Sequence, residues 1–301
     1  MTMLVVGSVA FDTLHNALGS FPKVLGGSAT YASLAGSYFT DVQLVGIVGR
    51  DYPADVIDSL GKRGIDTAGL EIADGRTFHW EGRYSDDLSS RTSLRTELNV
   101  FADFHPKIPE AFRSTPYVML GNIDPDLQME VLEQVERPEL VIADTMNFWI
   151  EGKPEALARI LPRIDVLVIN EEEAQQLSQQ RHLVRVARSL QEMGPRIVIV
   201  KQGEYGAFLF VEDEIFSAPA YPLEEVRDPT GAGDSFAGGF LGYVAREQDT
   251  TPAALRAAVV HGSAMASFCV EGIAVEPLLD LGEAAIRERV DGFQRLVHFE
   301  P

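Results

Sequence analysis

The chain has 301 residues, 46% of them apolar and 23% charged, and 45 Asp and Glu against 25 Lys and Arg give a net charge of −20. That length suits one large α/β domain, or one with a small appendage, and the composition excludes a disordered chain. So acidic a surface repels nucleic-acid backbones and anionic membranes, and neither is an expected partner; an anionic small ligand can still be held by backbone N–H groups or a metal ion.

The first apolar run, Leu4–Val6, is too short for a signal peptide, and a cytoplasmic location is expected. It leads into Gly7-Ser8-Val9-Ala10-Phe11-Asp12, a small-residue turn ending in a carboxylate. Phe11–Val24 is turn-rich, with Gly19 and Pro22. Ala29–Tyr38 has helical spacing, Val42–Val48 reads as a strand and Asp55–Arg63 as a helix. Gly75–Phe104 breaks this rhythm and reads as β-hairpin material. Within it Phe78, Trp80 and Tyr84 fall on one face, and His79, Glu81 and Arg83 on the other.

Strands and helices then alternate. The apolar runs are Tyr117–Leu120, Leu140–Ala143, Val166–Ile169 and Ile197–Val200; the helical stretches are Asp126–Val135, Glu155–Leu161, Glu171–Leu177 and Val184–Met193. The apolar runs show no polar alternation, as expected of parallel strands buried on both faces. Ala207–Ala218 adds an edge hairpin. Gly231–Ala245, Pro252–Val270 and Leu281–Leu296 are helical, so the chain ends in a helical layer. The lone cysteine, Cys269, reads as a buried thiol of the second of these. The prediction is a single α/β domain with a mostly parallel sheet. Segments 11–24 and 75–104 form a small β-sheet lid over its mouth, and its exposed sheet is the surface expected to pair two copies into a homodimer.

Asp228-Pro229-Thr230-Gly231-Ala232-Gly233-Asp234-Ser235-Phe236-Ala237-Gly238-Gly239 carries the chemistry. Two glycines flanking Ala232 let the backbone turn tightly at a helix start. There N–H groups and the helix dipole make an anion hole. Asp234 in the first turn is placed to act as a general base toward a hydroxyl that attacks phosphorus. The Gly238-Gly239 pair allows close helix packing. The chain lacks a Gly-x-x-x-x-Gly-Lys-Ser/Thr loop.

This segment resembles the C-terminal signature of the ribokinase family of sugar and nucleoside kinases, often called the PfkB family. Three further matches follow the family's order. Gly26-Gly27-Ser28-Ala29-Thr30 is similar to its di-glycine motif at the sugar site, in a form closer to the adenosine and nucleoside kinases; read without the family it is a helix start with Ser28 as cap. Tyr31 stands where many relatives carry asparagine. Asn170-Glu171-Glu172-Glu173 resembles the motif that organises Mg²⁺ through water, and is equally a capping box. Asp12 matches an aspartate that accepts from two ribose hydroxyls, and is otherwise a turn residue.

The resemblance implies a ribokinase-like three-layer α/β/α fold and an ATP- and Mg²⁺-dependent kinase acting on a hydroxymethyl group. Asp234 would be the base, with Gly231 shaping the catalytic turn and the amides of Ala232, Gly233 and Asp234 neutralising the developing charge. Asp12, Gly26, Gly27, Ser28 and Asn122 would hold the acceptor. Asn170, Lys201, Gly203, Gly206, Asp228, Thr230 and His261 would line the ATP site, with Asn170 and Glu173 near the metal's waters. Asp228 and Thr230 suggest a K⁺ site. Asp144 and Asn147 lie at a strand end facing the same edge. A nucleoside is the favoured acceptor, with Phe78, Trp80, Phe101 and Phe104 available to stack on a base. The alternative is ribose, fructose or a fructose phosphate, for which Lys23, Arg83, Arg91, Arg95 and Lys107 offer charge.

Overall fold

The computed structural model describes residues 1–298. It opens with β1 (Thr2–Val6), β2 (Ala10–Asn16), β3 (Gly19–Gly26), α1 (Ser28–Gly36), β4 (Asp41–Gly49), α2 (Ala54–Gly61) and β5 (Ile65–Ala73). There follow β6 (Phe78–Tyr84), β7 (Arg91–Glu97), β8 (Tyr117–Leu120), α3 (Pro125–Leu132), β9 (Leu140–Asp144), α4 (Asn147–Gly152) and α5 (Pro154–Ile160). Next are β10 (Val166–Asn170), α6 (Glu171–Ser178), α7 (Leu183–Glu192), β11 (Ile197–Lys201), β12 (Ala207–Val211) and β13 (Glu214–Ala218). Three helices finish the chain: α8 (Ala232–Glu247), α9 (Pro252–Cys269) and α10 (Glu283–Val297).

Nine strands form one sheet in the order β13-β12-β11-β10-β9-β8-β1-β4-β5, in which only β12 runs antiparallel to its neighbours. The Val/Ile/Leu runs form its centre because both faces are covered. Met3 and Val5 point into a core shared with α1, α2, α8, α9 and α10, while Leu4 and Val6 point into a second core shared with α3 to α7. The result is a three-layer α/β/α fold. Two elements escaped the sequence reading. Edge strand β5 is exposed or half-buried beyond Ile65, without a regular alternation, and α4 is a short helix after β9.

Helix α1 is buried along its whole length, because α8 lies against it without side chains between the backbones. A Cβ at Gly238 would overlap the Ala32 backbone, and one at Gly242 would lie 2.9 Å from the Gly36 carbonyl. A Cβ at Gly239 would lie 2.8 Å from the Met265 side chain of α9, so the Gly238-Gly239 pair expected to allow close packing does so, on both neighbouring helices.

The second sheet, β3-β2-β6-β7, arises from the two segments that broke the rhythm. Asp12 on β2 is the register partner of Trp80 on β6, so both look to one face. The other face is polar: His79 Nε2 meets Thr13 Oγ1 at 2.9 Å, and His15 Nε2 meets Glu81 at 2.9 Å. Three of the four aromatics expected to stack on a base pack on one another instead. Phe101 lies 5.4 Å from both Phe78 and Phe104, and Phe104 is buried in the second core. That leaves Trp80 on the face of Asp12.

Candidate active site

The site lies where strands β8 to β11 end beneath the start of α8. Gly231 caps α8 with φ 75°, a left-handed conformation that glycine adopts without strain. A Cβ there would also overlap the Tyr31 ring. Tyr31 is thus buried packing under the turn. The Ala232 amide bonds back to the Pro229 carbonyl at 3.2 Å, so it is spent on the turn and the anion hole expected from it narrows. The amides of Gly233 and Asp234 belong to the unpaired first turn of the helix and remain as donors. Asp228 holds the turn from below, accepting from the Thr230 and Ala274 amides, each at 2.9 Å.

On the acceptor side, Ser8 and Ser28 exchange hydrogen bonds: Ser8 N to Ser28 Oγ at 3.2 Å, and Ser28 N to Ser8 Oγ at 3.0 Å. Ser28 therefore builds the site rather than capping α1, whose cap is Gly27 at φ 94°. The Asp12 carboxylate lies directly over Gly26, where any Cβ would overlap it. Burial pushes the Asp12 carboxyl up to about 8, helped by the charges of Asp228 and Asp234.

Between these parts sits a crowd of carboxylates with few cations. Lys201 Nζ is 3.2 Å from Asp144, and a Cβ at Gly233 would lie 2.8 Å from that Nζ, which places the ammonium under the anion hole. Burial works against the Lys201 charge, yet Asp144, Glu173 and Asp234 outweigh it and raise its pKa. Burial first and Asp144 second push Asp234 up to about 7, against the pull of Lys201 and Arg91. Glu173 is likewise pushed up to about 7 by burial and Asp144. The second cation comes from the lid: the Arg91 guanidinium lies 5.4 Å over the Trp80 ring, and its charge reaches Asp12, Glu173 and Asp234.

Asn170 and Glu173 form the expected capping box, with Glu173 N to Asn170 Oδ1 at 2.8 Å and Asn170 N to Glu173 Oε2 at 3.2 Å. Among the described residues no three His, Cys, Asp or Glu side chains group closely enough to hold a metal. The unneutralised carboxylates nonetheless suit a divalent cation carried in by a polyphosphate and its waters, which needs no dedicated protein cage.

Three expectations are not gathered into this cluster. The Asn122 side-chain oxygen accepts from the Trp149 indole at 3.0 Å. His261 bonds the Ala257 carbonyl at 2.8 Å and stacks on Tyr243 at 3.9 Å, roughly 12 Å along α9 from Cys269. It borders a cavity of about 270 Å³ between β13, α9 and α10, lined by Phe216, Ala218, Ala257 and Phe293. Gly203 and Gly206, with φ 56° and 102°, shape the turn between β11 and β12. Asp144 is more central than the sequence suggested, its only signal being its place at a strand end. Tyr84 and Arg91 were legible only as a face residue of the hairpin and as one of several available cations, with nothing to bring them to this turn.

Residues 2–277 match the profile of the pfkB family carbohydrate kinases. The chain belongs to that family. Among curated relatives, it is 30% identical to the cytidine kinase of Thermococcus kodakarensis over 253 residues, covering 81% of this chain and 88% of that one. It is 28% identical to a nucleoside kinase of Methanothermobacter thermautotrophicus, covering 95% of this chain and 94% of the other. In structure it is similar to the nucleoside kinase of Methanocaldococcus jannaschii, an archaeal member of the ribokinase family, with a TM-score of 0.78, 20% identity and coverage of 96% and 98%. Family membership makes the chain a phosphotransferase acting on an alcohol. No helix among the described residues is long and apolar enough to cross a membrane.

Proposed function

We propose that this protein transfers the γ-phosphoryl group of ATP to the 5′-hydroxyl of a nucleoside. The observation that carries the reading is the meeting of Asp234, the Gly233 amide and Lys201 at the start of α8, facing Asp12 across the site. The cytidine and nucleoside kinase relatives, which cover most of the chain, support a nucleoside acceptor.

Asp12 accepts the ribose hydroxyls, and the close backbone at Gly26 and Gly27 lets the sugar approach. Asp234 takes the proton of the attacking hydroxyl. The amides of Gly233 and Asp234, with Lys201 beneath them, stabilise charge on the moving phosphoryl group, an arrangement suited to a loose transition state. Mg²⁺ would neutralise the phosphate oxygens, with Asn170 and Glu173 ordering its waters. Lys201 and the apolar cavity beside His261 line the nucleotide side. Both Asp228 oxygens are taken by amides, so K⁺ near Thr230 would rest on loop carbonyls. Pairing through the lid is supported by the open β7 edge and the exposed Leu94 and Leu98; a monomeric mass by light scattering ends that reading.

The test is ADP release with ATP·Mg²⁺ against nucleosides, ribose, fructose and fructose phosphates. Selective turnover of nucleosides is the expected result. Preference for a free sugar or sugar phosphate replaces the acceptor assignment and leaves the machinery standing.

A further inference from the structure

The lid touches the phosphate-binding turn at two points that the scheme above leaves unused. Tyr84, at the end of β6, brings its hydroxyl to 2.9 Å from Thr230 Oγ1, and each residue is only 8% exposed. Asn16, at the end of β2, donates from Nδ2 to the Arg227 carbonyl at 2.9 Å. Both contacts fall on the few residues just before Gly231. Within them, Asp228 already fixes the Thr230 amide, and the Cys269 thiol lies 3.4 Å from the Thr230 carbonyl. The Thr230 hydroxyl also faces the Asp228 carboxylate, so it joins the turn's own anchor to Tyr84 of the lid.

The next residue explains why that matters. Gly231 has no side chain to anchor it, and its left-handed turn aims the amides of Gly233 and Asp234. Small rotations at Thr230 swing those donors away from the position of the phosphoryl group. Tyr84 is also the cross-strand partner of Arg91, so seating Tyr84 brings that guanidinium in with it. The same lid carries Asp12 on β2. The buried phenol stays neutral, since burial raises its pKa.

We propose that Tyr84 is a positioning residue for phosphoryl transfer: its hydroxyl holds the Thr230 side chain, and so keeps the Gly233 and Asp234 amides aimed. This rests on the phosphotransferase reading above.

Tyr84→Phe removes one oxygen and keeps the ring. The expected result is a fall in kcat of about 2- to 12-fold, the worth of one hydrogen bond, with KM for acceptor and ATP unchanged. Thr230→Val should give a similar fall, and the double variant should be no slower than the slower single one. Losses that multiply in the double variant, or a Tyr84→Phe enzyme with parental kcat, overturn the proposal. Hydrogen exchange at residues 227–234 decides it without turnover. Faster exchange there in Tyr84→Phe supports the contact, and unchanged exchange overturns it. A parent protein that phosphorylates no alcohol would overturn the functional reading instead, and the exchange measurement would still decide this one.

Discussion

The carboxylates around the start of α8 and those on the outer face of the lid are the same residue types under opposite conditions. Asp12, Glu173 and Asp234 are crowded, buried and short of cations, and are held at about 8, 7 and 7. On the lid, Glu81 faces His15 at 2.9 Å, Glu97 faces Arg95 at 2.7 Å, and exposed Asp87 is held at about 2 by the hydroxyls of Ser85 and Ser89. Each of these three carboxylates has a local partner and keeps contact with solvent. The site carboxylates share one lysine and one arginine. The difference shows where the fold carries an unfavourable electrostatic load, and a metal–nucleotide is the kind of ligand that relieves it.

The strongest way to break the comparison is Asp234→Asn. Turnover should fall roughly 10²- to 10⁴-fold, the range for a lost general base, while Tm at pH 8 is no lower than that of the parent, because a repelled carboxylate is gone. Steady-state kinetics with thermal melting checks both; near-normal turnover removes Asp234 as base. Next is Lys201→Met. Lys201 and Asp144 are mostly buried, with side chains 17% and 9% exposed. Leaving the carboxylates without their cation should cost about 3–5 kcal/mol in denaturant unfolding, and a loss under 1 kcal/mol would show that the pair is solvated.

The pH dependence sharpens the contrast. In the free enzyme kcat/KM should fall about tenfold per unit below pH 7, as Asp234 takes up its proton. Stability should move the other way. Between about pH 4 and 8 the folded chain keeps protons on Asp12, Glu173 and Asp234 that the unfolded chain has released, so stability falls as pH rises. His261, whose pKa burial lowers, opposes this near its ordinary pKa as a single group. Melting from pH 5 to 8.5 measures the sum, and a Tm that rises across the whole range contradicts the carboxylate shifts. The smallest effect belongs to the lid: the His15–Glu81 pair is half-buried but open to solvent, and Glu81→Gln should change stability by less than about 1 kcal/mol. A larger loss would mean that the outer face is covered in solution, as lid pairing would require.

Much of this was legible in the residues. The central strands announced themselves as unbroken Val/Ile/Leu runs, because both faces of the sheet are buried. The Thr230–Asp234 helix start, the capping box of Asn170 and Glu173 and the close approach at Gly238 are local devices of a few residues each. The alternation of Phe78, Trp80 and Tyr84 gave the lid strand and its two faces. Strand β5 was hidden because an edge strand with mixed exposure has no strong period. The stacking of Phe78 on Phe101 was hidden too, since an aromatic in a hairpin looks the same whether it meets a base or another ring.

By itself the sequence determined the layers, the glycine-capped helix start at Gly231 and the place of Asp234 in its first turn, since each depends on periodicity or on neighbours within one turn of chain. Only the tertiary structure decided that Asp144 and Lys201 share the floor of the site, that Tyr31 fills the space under Gly231, and that Tyr84 and Arg91 reach the turn from the lid. Those facts rest on distances between residues far apart in the chain, and burial then sets their charges; neither quantity is written in any local run of residues.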